Sequence, residues 1–459
     1  MRFTPAMQRG NEDATAKTQG WLARFRQGSS YSLEVQQGPD MGKFFSLDGR
    51  SEQPRMLLGQ GPLCDVRLTD RQVSRRHAVL EVERLGLRYS DLGSTNGSRI
   101  NGVSVTEAIL NGGEKILVGA TVLAVHLQEE FVVPVPEALK FGRLLGWSPE
   151  LRRLFPLFGK MAASDLPLVI EGETGTGKEI LAESIHEASP RAQGPFVVFD
   201  CTTVSSNLVE AMLFGHERGA FTGAIASQRG MFEEAHGGTL FIDEIGDLDI
   251  VLQARLLRAI DRAQVRRVGG SKWTRVDTRI IAATRRNLDA EVQAGKFRDD
   301  LLFRLGAARV ELPPLRKRQG DVAMLATAFW CQMGGAPEAL EPAFLAQLEA
   351  HTWPGNVREL RNVIASRLAL GESFRGTPEH DSSPLASAEV CLPGSEDFID
   401  SVIQERLPFA VGRQRVVAEY ERRFVEGVLS EHDGHVGRAA AAAGIGRRYF
   451  QVIRGRHRE

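Results

Sequence analysis

The sequence predicts three architectures in series: an all-β sandwich, an α/β domain on a parallel sheet, and a small all-α helix pair. Three observations predict them. Between Tyr31 and Gln128, short alternating segments such as HAVLEVE and LRYSDL are broken by glycine and asparagine, as in a sandwich of short strands. From Phe141 to Gly371, apolar strands such as VVF and LFID alternate with helical patterns such as VLQARLLRAIDRA, the rhythm of a parallel sheet with crossover helices. Residues 431–459 hold an alanine-rich helix, a Gly444-Ile445-Gly446 turn and a second, basic helix, which reads as two helices joined by a glycine turn.

Bulk properties remove several classes. The 459 residues suit about three domains. With 42% hydrophobic and 25% charged residues, the composition is neither collagenous, wholly disordered nor that of a membrane protein. No apolar run approaches the ~20 residues a membrane-spanning helix needs. The N-terminal stretch MRFTPAMQRGNEDATAKTQG lacks the apolar core of a secretory signal. Cys64, Cys201, Cys331 and Cys391 lie far apart with no CxxC pair, which argues against a zinc knuckle or a disulfide scaffold. A cytoplasmic protein is expected. Net charge is −1, but Arg438, Arg447, Arg448, Arg454, Arg456 and Arg458 crowd the C-terminus, a local footprint for nucleic acid.

In chain order, residues 1–30 read as a polar, mobile segment, 31–129 as the sandwich, and 130–140 (with FVVPVPEALK) as a linker. Residues 141–371 form the α/β domain. Residues 372–412, rich in proline, serine and acid, read as a flexible tether, and 413–459 as the terminal helical domain.

The central domain carries the chemistry. GETGTGKE (Gly172, Glu173, Thr174, Gly175, Thr176, Gly177, Lys178, Glu179) follows the strand LPLVIEG and precedes a helical run. Glycines there let backbone N–H groups wrap phosphate oxygens while the next helix aims its positive end at them, and Lys178 neutralises the β/γ-phosphates. GGTLFIDE ends an apolar strand in two carboxylates. Asp243 is placed to hold Mg²⁺ and Glu244 to orient the attacking water.

Together these segments resemble the sigma-54-interacting branch of the AAA+ ATPases, the bacterial enhancer-binding proteins. GETGTGKE, LFGHERGAFTGA, GGTLFIDEIGDL, FRDDLLFRL and WPGNVRELRN stand in the expected order. The resemblance implies a P-loop ATPase domain with a helical lid, ATP and Mg²⁺ as ligands, and a homo-oligomeric ring, a hexamer in relatives. It also implies that Glu179 is the family's normal residue. Gly219, Ala220, Phe221, Thr222, Gly223 and Ala224 match the GAFTGA loop that grips sigma-54. Arg298 and Arg304 match the two positions considered for an arginine finger supplied to the neighbouring subunit, and which of them serves stays open. Arg358 matches the lid arginine that senses nucleotide, and Thr284 ends the strand that senses the γ-phosphate. Two positions depart from the family pattern. Asp200 stands where asparagine usually restrains the catalytic glutamate, and a carboxylate beside Glu244 is expected to raise one pKa. Arg285 stands where asparagine or histidine is frequent.

LGQGPLCDVRLTD, VSRRHAVLE, DLGSTNGSRING and NGGEKILVG, between residues 58 and 119, resemble a forkhead-associated (FHA) domain. That resemblance implies phosphothreonine-peptide binding through Ser74, Arg75, Thr95 and Asn96, with His77 as a buttress. A hydroxyl, a guanidinium and an amide converging on an anion fit this chemistry. The family's glycine–arginine pair is here Gly59–Gln60, so one charge-assisted contact is missing and phosphate-independent docking stays open. The tail resembles the factor-for-inversion-stimulation type of helix-turn-helix. Arg447, Arg448 and Tyr449 are then placed to reach base edges, and Arg454 and Arg456 to meet phosphates. The alternative there is a basic, solvated helix.

The whole reads as a sigma-54-dependent activator that binds upstream DNA and hydrolyses ATP to open the promoter, regulated through phosphothreonine. A non-catalytic DNA-binding adaptor and a remodeller of some other protein are the rivals.

Overall fold

The structure is a computed structural model that describes residues 25–52, 55–202, 206–221 and 224–371, together with Val436. The segment expected as a tether (372–412), the residues expected to form a helix-turn-helix (with Arg447, Arg448, Tyr449, Arg454 and Arg456), and Thr222 and Gly223 of the GAFTGA segment lie outside the described residues. The chain divides into two units, 1–377 and 378–459. Every strand and helix named below belongs to the first.

Eleven strands build the front sandwich. Its six-stranded sheet runs β2 (Phe44–Leu47), β1 (Phe25–Gln37), β11 (Thr121–Pro134), β10 (Lys115–Val118), β7 (Ser98–Ile100) and β8 (Val103–Val105). The facing sheet runs β4 (Val66–Arg67), β3 (Arg55–Gly59), β5 (Ala78–Glu83), β6 (Gly86–Asp91) and β9 (Glu107–Leu110). Side chains two apart on a strand share a face. Tyr31, Leu33 and Val35 of β1 therefore enter the core with Leu80, Val82 and Tyr89 of the opposite sheet.

The sandwich exceeds its expected limits at both ends. Residues 25–30, assigned to the N-terminal segment, and 130–134, assigned to the linker, form one antiparallel ribbon in which Phe25 faces Pro134 and Gln27 faces Val132. Much of its β11 arm is solvent-exposed. A ribbon held by backbone hydrogen bonds carries no hydrophobic alternation to read. Pro134 ends the strand, a position proline tolerates.

A short hairpin, β12 (Lys140–Phe141) and β13 (Leu144–Leu145), leads through helices α1 (Pro149–Arg152) and α2 (Phe155–Ala163) into the central domain. Five parallel strands form its sheet in the order β15 (Phe196–Asp200), β16 (Thr239–Asp243), β19 (Arg279–Thr284), β14 (Leu168–Glu171), β20 (Ala308–Glu311). A small hairpin, β17 (Gln264–Arg266) and β18 (Trp273–Arg275), lies outside it. Val169, Leu240, Ile242, Ile280 and Ala282 pack into the core on one face. Leu168, Ile170, Phe241, Ile281 and Ala283 pack on the other. The strands are buried on both faces, which is why they read as continuous apolar runs.

Helices α3 (Lys178–Glu187), α4 (Ser206–Phe214), α5 (Met231–Glu234), α6 (Ile250–Arg262), α7 (Leu288–Gln293) and α8 (Asp299–Leu305) complete this layer. The lid follows as α9 (Asp321–Gln332), α10 (Pro342–Ala350) and α11 (Asn356–Leu370) around fully buried Trp353, whose indole N–H donates to the Leu348 carbonyl at 2.8 Å. Among the described residues no helix is long and apolar enough to cross a membrane. Cys64 and Cys201 are buried free thiols and Cys331 is an exposed one.

Candidate active site and the two binding loops

Ligands of open parallel sheets bind beyond the carboxyl ends of the strands, and the candidate residues gather there. The phosphate loop leaves the end of β14, Asp200 closes β15, Asp243 and Glu244 close β16, and Thr284 and Arg285 close β19. Gly172, Gly175 and Gly177 take φ of +147°, +79° and +105°, the region that favours glycine. Gly175 is doubly constrained, because a Cβ there would stand 2.4 Å from the Gly355 carbonyl oxygen of the lid. Loop and lid therefore approach closer than any side chain allows.

Lys178 is buried, and its ammonium donates to the carbonyls of Gly172 at 2.9 Å and Glu173 at 3.2 Å, with a Glu244 oxygen at 3.7 Å. Burial lowers its pKa, against the pull of Glu244 and Asp243. Asp243 accepts from the Glu244 N–H at 3.0 Å. Burial raises its carboxyl, and the charges of Glu244 and Asp200 add to this. Asp200 faces Asp243 across the β15–β16 pair and adds only a minor part of this upward shift, which burial dominates. Asp200 itself accepts from the Thr202 N–H and hydroxyl at 2.8 and 2.7 Å.

Glu244 sits at φ +50°, a strained setting for a residue with a side chain. Its carboxylate accepts from the Arg285 N–H at 3.0 Å, and the Arg285 guanidinium lies 3.9 Å from it and 3.7 Å from Asp247. The backbone of residue 285 therefore tethers the Glu244 carboxylate, and the unusual arginine side chain adds a cation 3.9 Å from it. Thr284 is fully buried; its carbonyl accepts from the Gly172 N–H at 3.1 Å and its hydroxyl from the Arg286 N–H at 3.1 Å.

Two residues without an assigned role join the lid to the phosphate loop. Asn356 is buried at φ +54°. Its amide donates to the Glu173 carboxylate at 3.1 Å and the Thr174 carbonyl at 3.0 Å, and its oxygen accepts from the Leu315 N–H at 2.7 Å. Arg318, buried with its pKa pushed down by desolvation, donates to the carbonyls of Thr176 at 2.9 Å and Pro313 at 2.7 Å. Glu173 is also held by Arg316 at 2.5 and 2.8 Å. Arg358, one turn into α11, has its Cβ 3.1 Å from the position a Gly175 Cβ would take. Asn356→Gly is expected to weaken ATP binding about tenfold, a cost of ~1.4 kcal/mol. It relieves the backbone strain and removes only the bridge, so an unchanged Kd by nucleotide titration would show that the bridge does not hold the loop.

Arg298 N-caps α8, and its guanidinium grips Asp300 at 2.7 and 3.0 Å; Arg304 pairs with Asp261 at 3.0 Å. Both finger candidates are engaged within their own chain. In the GAFTGA segment, the N–H of Gly219 donates to the Ala224 carbonyl at 2.8 Å and that of Ala224 to the Phe221 carbonyl at 3.0 Å. Phe221 is 38% exposed beside the His216 ring at 5.0 Å, so the aromatic is presented and not stored.

At the sandwich rim, Ser74, Thr95 and Asn96 converge. The Ser74 hydroxyl accepts from the Thr95 N–H at 3.1 Å, and the Asn96 amide donates to the Gln72 carbonyl at 2.7 Å. His77 is fully buried, accepting from the Ser74 N–H at 3.1 Å with its other nitrogen 3.2 Å from Ser98. That is a buttress. Arg75 is exposed, and Gln60 turns to the Asp70 carbonyl at 3.3 Å.

Among the described residues no group of three His, Cys, Asp or Glu is placed to hold a metal. A phosphate-bound Mg²⁺ needs only one or two carboxylates, and half-buried Asp243 at the end of β16 fits that role.

A parallel sheet, a glycine loop leaving β14, paired carboxylates closing β16 on the far side of β19, and a lid closing on the loop define a P-loop ATPase domain of the AAA+ class. The family described as Sigma-54 interaction domain matches residues 144–311, and the AAA+ ATPase lid domain matches 316–380. The chain belongs to the family of sigma-54-interacting AAA+ regulators. The anaerobic nitric oxide reductase transcription regulator NorR of Escherichia fergusonii is 40% identical over 303 residues, 64% of this chain and 59% of that protein. The Brucella abortus NtrX structure in complex with ATP is 33% identical, covering 69% of each chain with a TM-score of 0.46. The chain spans little more than half the length of the first curated relatives it matches. Residues 34–129 match the family described as inner membrane component of T3SS, cytoplasmic domain. The FHA domain of Chlamydia trachomatis CT664 is 25% identical over 22% of this chain and all of that one, with a TM-score of 0.20.

Proposed function

We propose that this protein is an ATP-driven transcription activator that remodels sigma-54 RNA polymerase. The observation that carries the reading is the sigma-54 interaction match over 144–311, which contains a loop presenting one exposed aromatic between closed backbone turns. In the mechanism, the amides of Gly172–Gly177 cradle the phosphates and Lys178 neutralises them. Asp243 would hold Mg²⁺, whose charge would help neutralise the phosphates. Glu244, tethered through the Arg285 N–H, orients the water and takes its proton. An arginine from a neighbouring subunit completes the site, so the working form is a ring, a hexamer by analogy with the family. The tail binds upstream DNA, and the sandwich rim of Ser74, Arg75, Thr95 and Asn96 reads a phosphothreonine peptide. The protein acts in the cytoplasm.

The test is strand opening at a sigma-54 closed promoter complex with ATP. Opening by the wild type, and a loss of at least ~100-fold in Thr222→Ala with ATP turnover intact, is the expected result, on the scale of one lost transition-state contact. Turnover without opening points to a remodeller of another target, and absence of turnover to an adaptor.

A further inference from the structure

The rim of the sandwich is bound to the ATPase domain by charge. Arg76, next to the exposed Arg75, has a buried guanidinium that pairs with Asp289 and, at 2.6 Å, with Asp299. Arg55 reaches Asp289 at 2.8 Å and Glu171 at 3.7 Å. Arg309 of β20 closes the cluster on Glu171 at 2.8 Å and Asp289 at 3.0 Å. Burial alone would raise the Asp289 carboxyl, yet Arg309, Arg55 and Arg76 together hold it below the ordinary value. The carboxylates stand at three working points. Glu171 is the residue before the phosphate loop, Asp289 lies on the helix after the sensing strand, and Asp299 is the first residue of the finger helix α8. A cavity of about 300 Å³ lined by Gln60, Pro62, Leu63, Arg75, Arg76 and Asp299 lies at this junction. Beside it, Pro62 and Leu63 share a second cavity with Arg298 and Phe303.

We propose that Arg76 restrains ATP hydrolysis: through Asp299 it holds the finger helix against its own chain, so that delivery of the finger to a neighbouring subunit requires the sandwich rim to release it. Two features give the direction. Pro62 and Leu63 line the cleft that Arg298 faces, where a neighbour's nucleotide would have to approach. Arg298 is meanwhile gripped by Asp300. The release step rests on the phosphopeptide reading above: Ser74 and Arg75 adjoin Arg76, so an anion drawn onto them pulls on the clamp.

The clamp is tested on the full chain with Arg76→Ala and Asp299→Asn, which break one contact from its two sides. Asp289 keeps Arg55 and Arg309 in Arg76→Ala, so no buried charge is left alone. Both variants are expected to raise ATP turnover at low protein concentration and to lower the assembly concentration by sedimentation, each by about 5–150-fold, the usual span of allosteric coupling. Hydrogen exchange in 299–305 should rise in both, and Arg76→Lys should stay near wild type. Unchanged exchange and assembly in both variants, or a fall in turnover, overturns the clamp. Because no phosphopeptide enters this experiment, its failure is separate from that of the reading of the rim. Titration with O-phosphothreonine tests the rim alone.

Discussion

Alanine at an arginine serving as the proposed finger in a neighbouring subunit's site is expected to lower ATP turnover by roughly 10³–10⁵, the worth of a finger in phosphoryl transfer. Arg298 and Arg304 are both held at home, by Asp300 and Asp261. A finger must exchange its own carboxylate for a neighbour's phosphate. Removing that carboxylate should then cost little, while removing the arginine costs nearly everything. Turnover of Arg298→Ala and Asp300→Asn, set against Arg304→Ala and Asp261→Asn, identifies the finger. The true pair shows a collapse in the first member and wild-type turnover or better in the second. If neither arginine costs more than about tenfold, the site is completed in some other way, since that is far below what a finger supplies.

Glu244→Gln should lose ~10²–10⁴ in kcat, the span attributed to a positioned general base, while ATP affinity stays within a few-fold. The glutamine keeps the shape and can still accept from the Arg285 N–H, so what disappears is the capacity to take a proton. A KM that rises together with the loss of kcat would instead make Glu244 part of the binding frame. Arg285→Asn is the informative companion. It keeps the backbone N–H on Glu244 and removes the guanidinium 3.9 Å away. A change in turnover there measures that cation alone.

How much was legible follows from what each feature demands of the chain. The phosphate loop demands glycine at three left-handed positions and a lysine in strand–loop–helix context, and such demands are written in residue types. The doubly buried sheet was legible because its strands have no polar face. The ribbon of 25–30 with 130–134 was not, since its mostly exposed β11 arm leaves no periodicity. Asn356 sits inside the WPGNVREL motif, but its task is not written in residue type, because it depends on φ +54° and on an amide that reaches two loops at once. The clamp was invisible for a different reason. Arg55, Arg76, Asp289 and Asp299 are spread over 245 positions and look individually like ordinary solvated charges. Only folding brings Arg76 and Asp289 out of water together.

The pairing of Phe25 with Pro134 means that the chain enters and leaves the sandwich at neighbouring points. Such a module behaves as a cassette: its ends already meet, so its interior can be exchanged without rethreading the rest of the fold. The charged seam sets the terms of any exchange. A substitute sandwich that lacks guanidinium groups where Arg55 and Arg76 stand would leave Asp289 with Arg309 as its one remaining partner in that cluster. Grafting another sensor onto this ATPase is therefore a question of matching two cations, and far less one of matching loops.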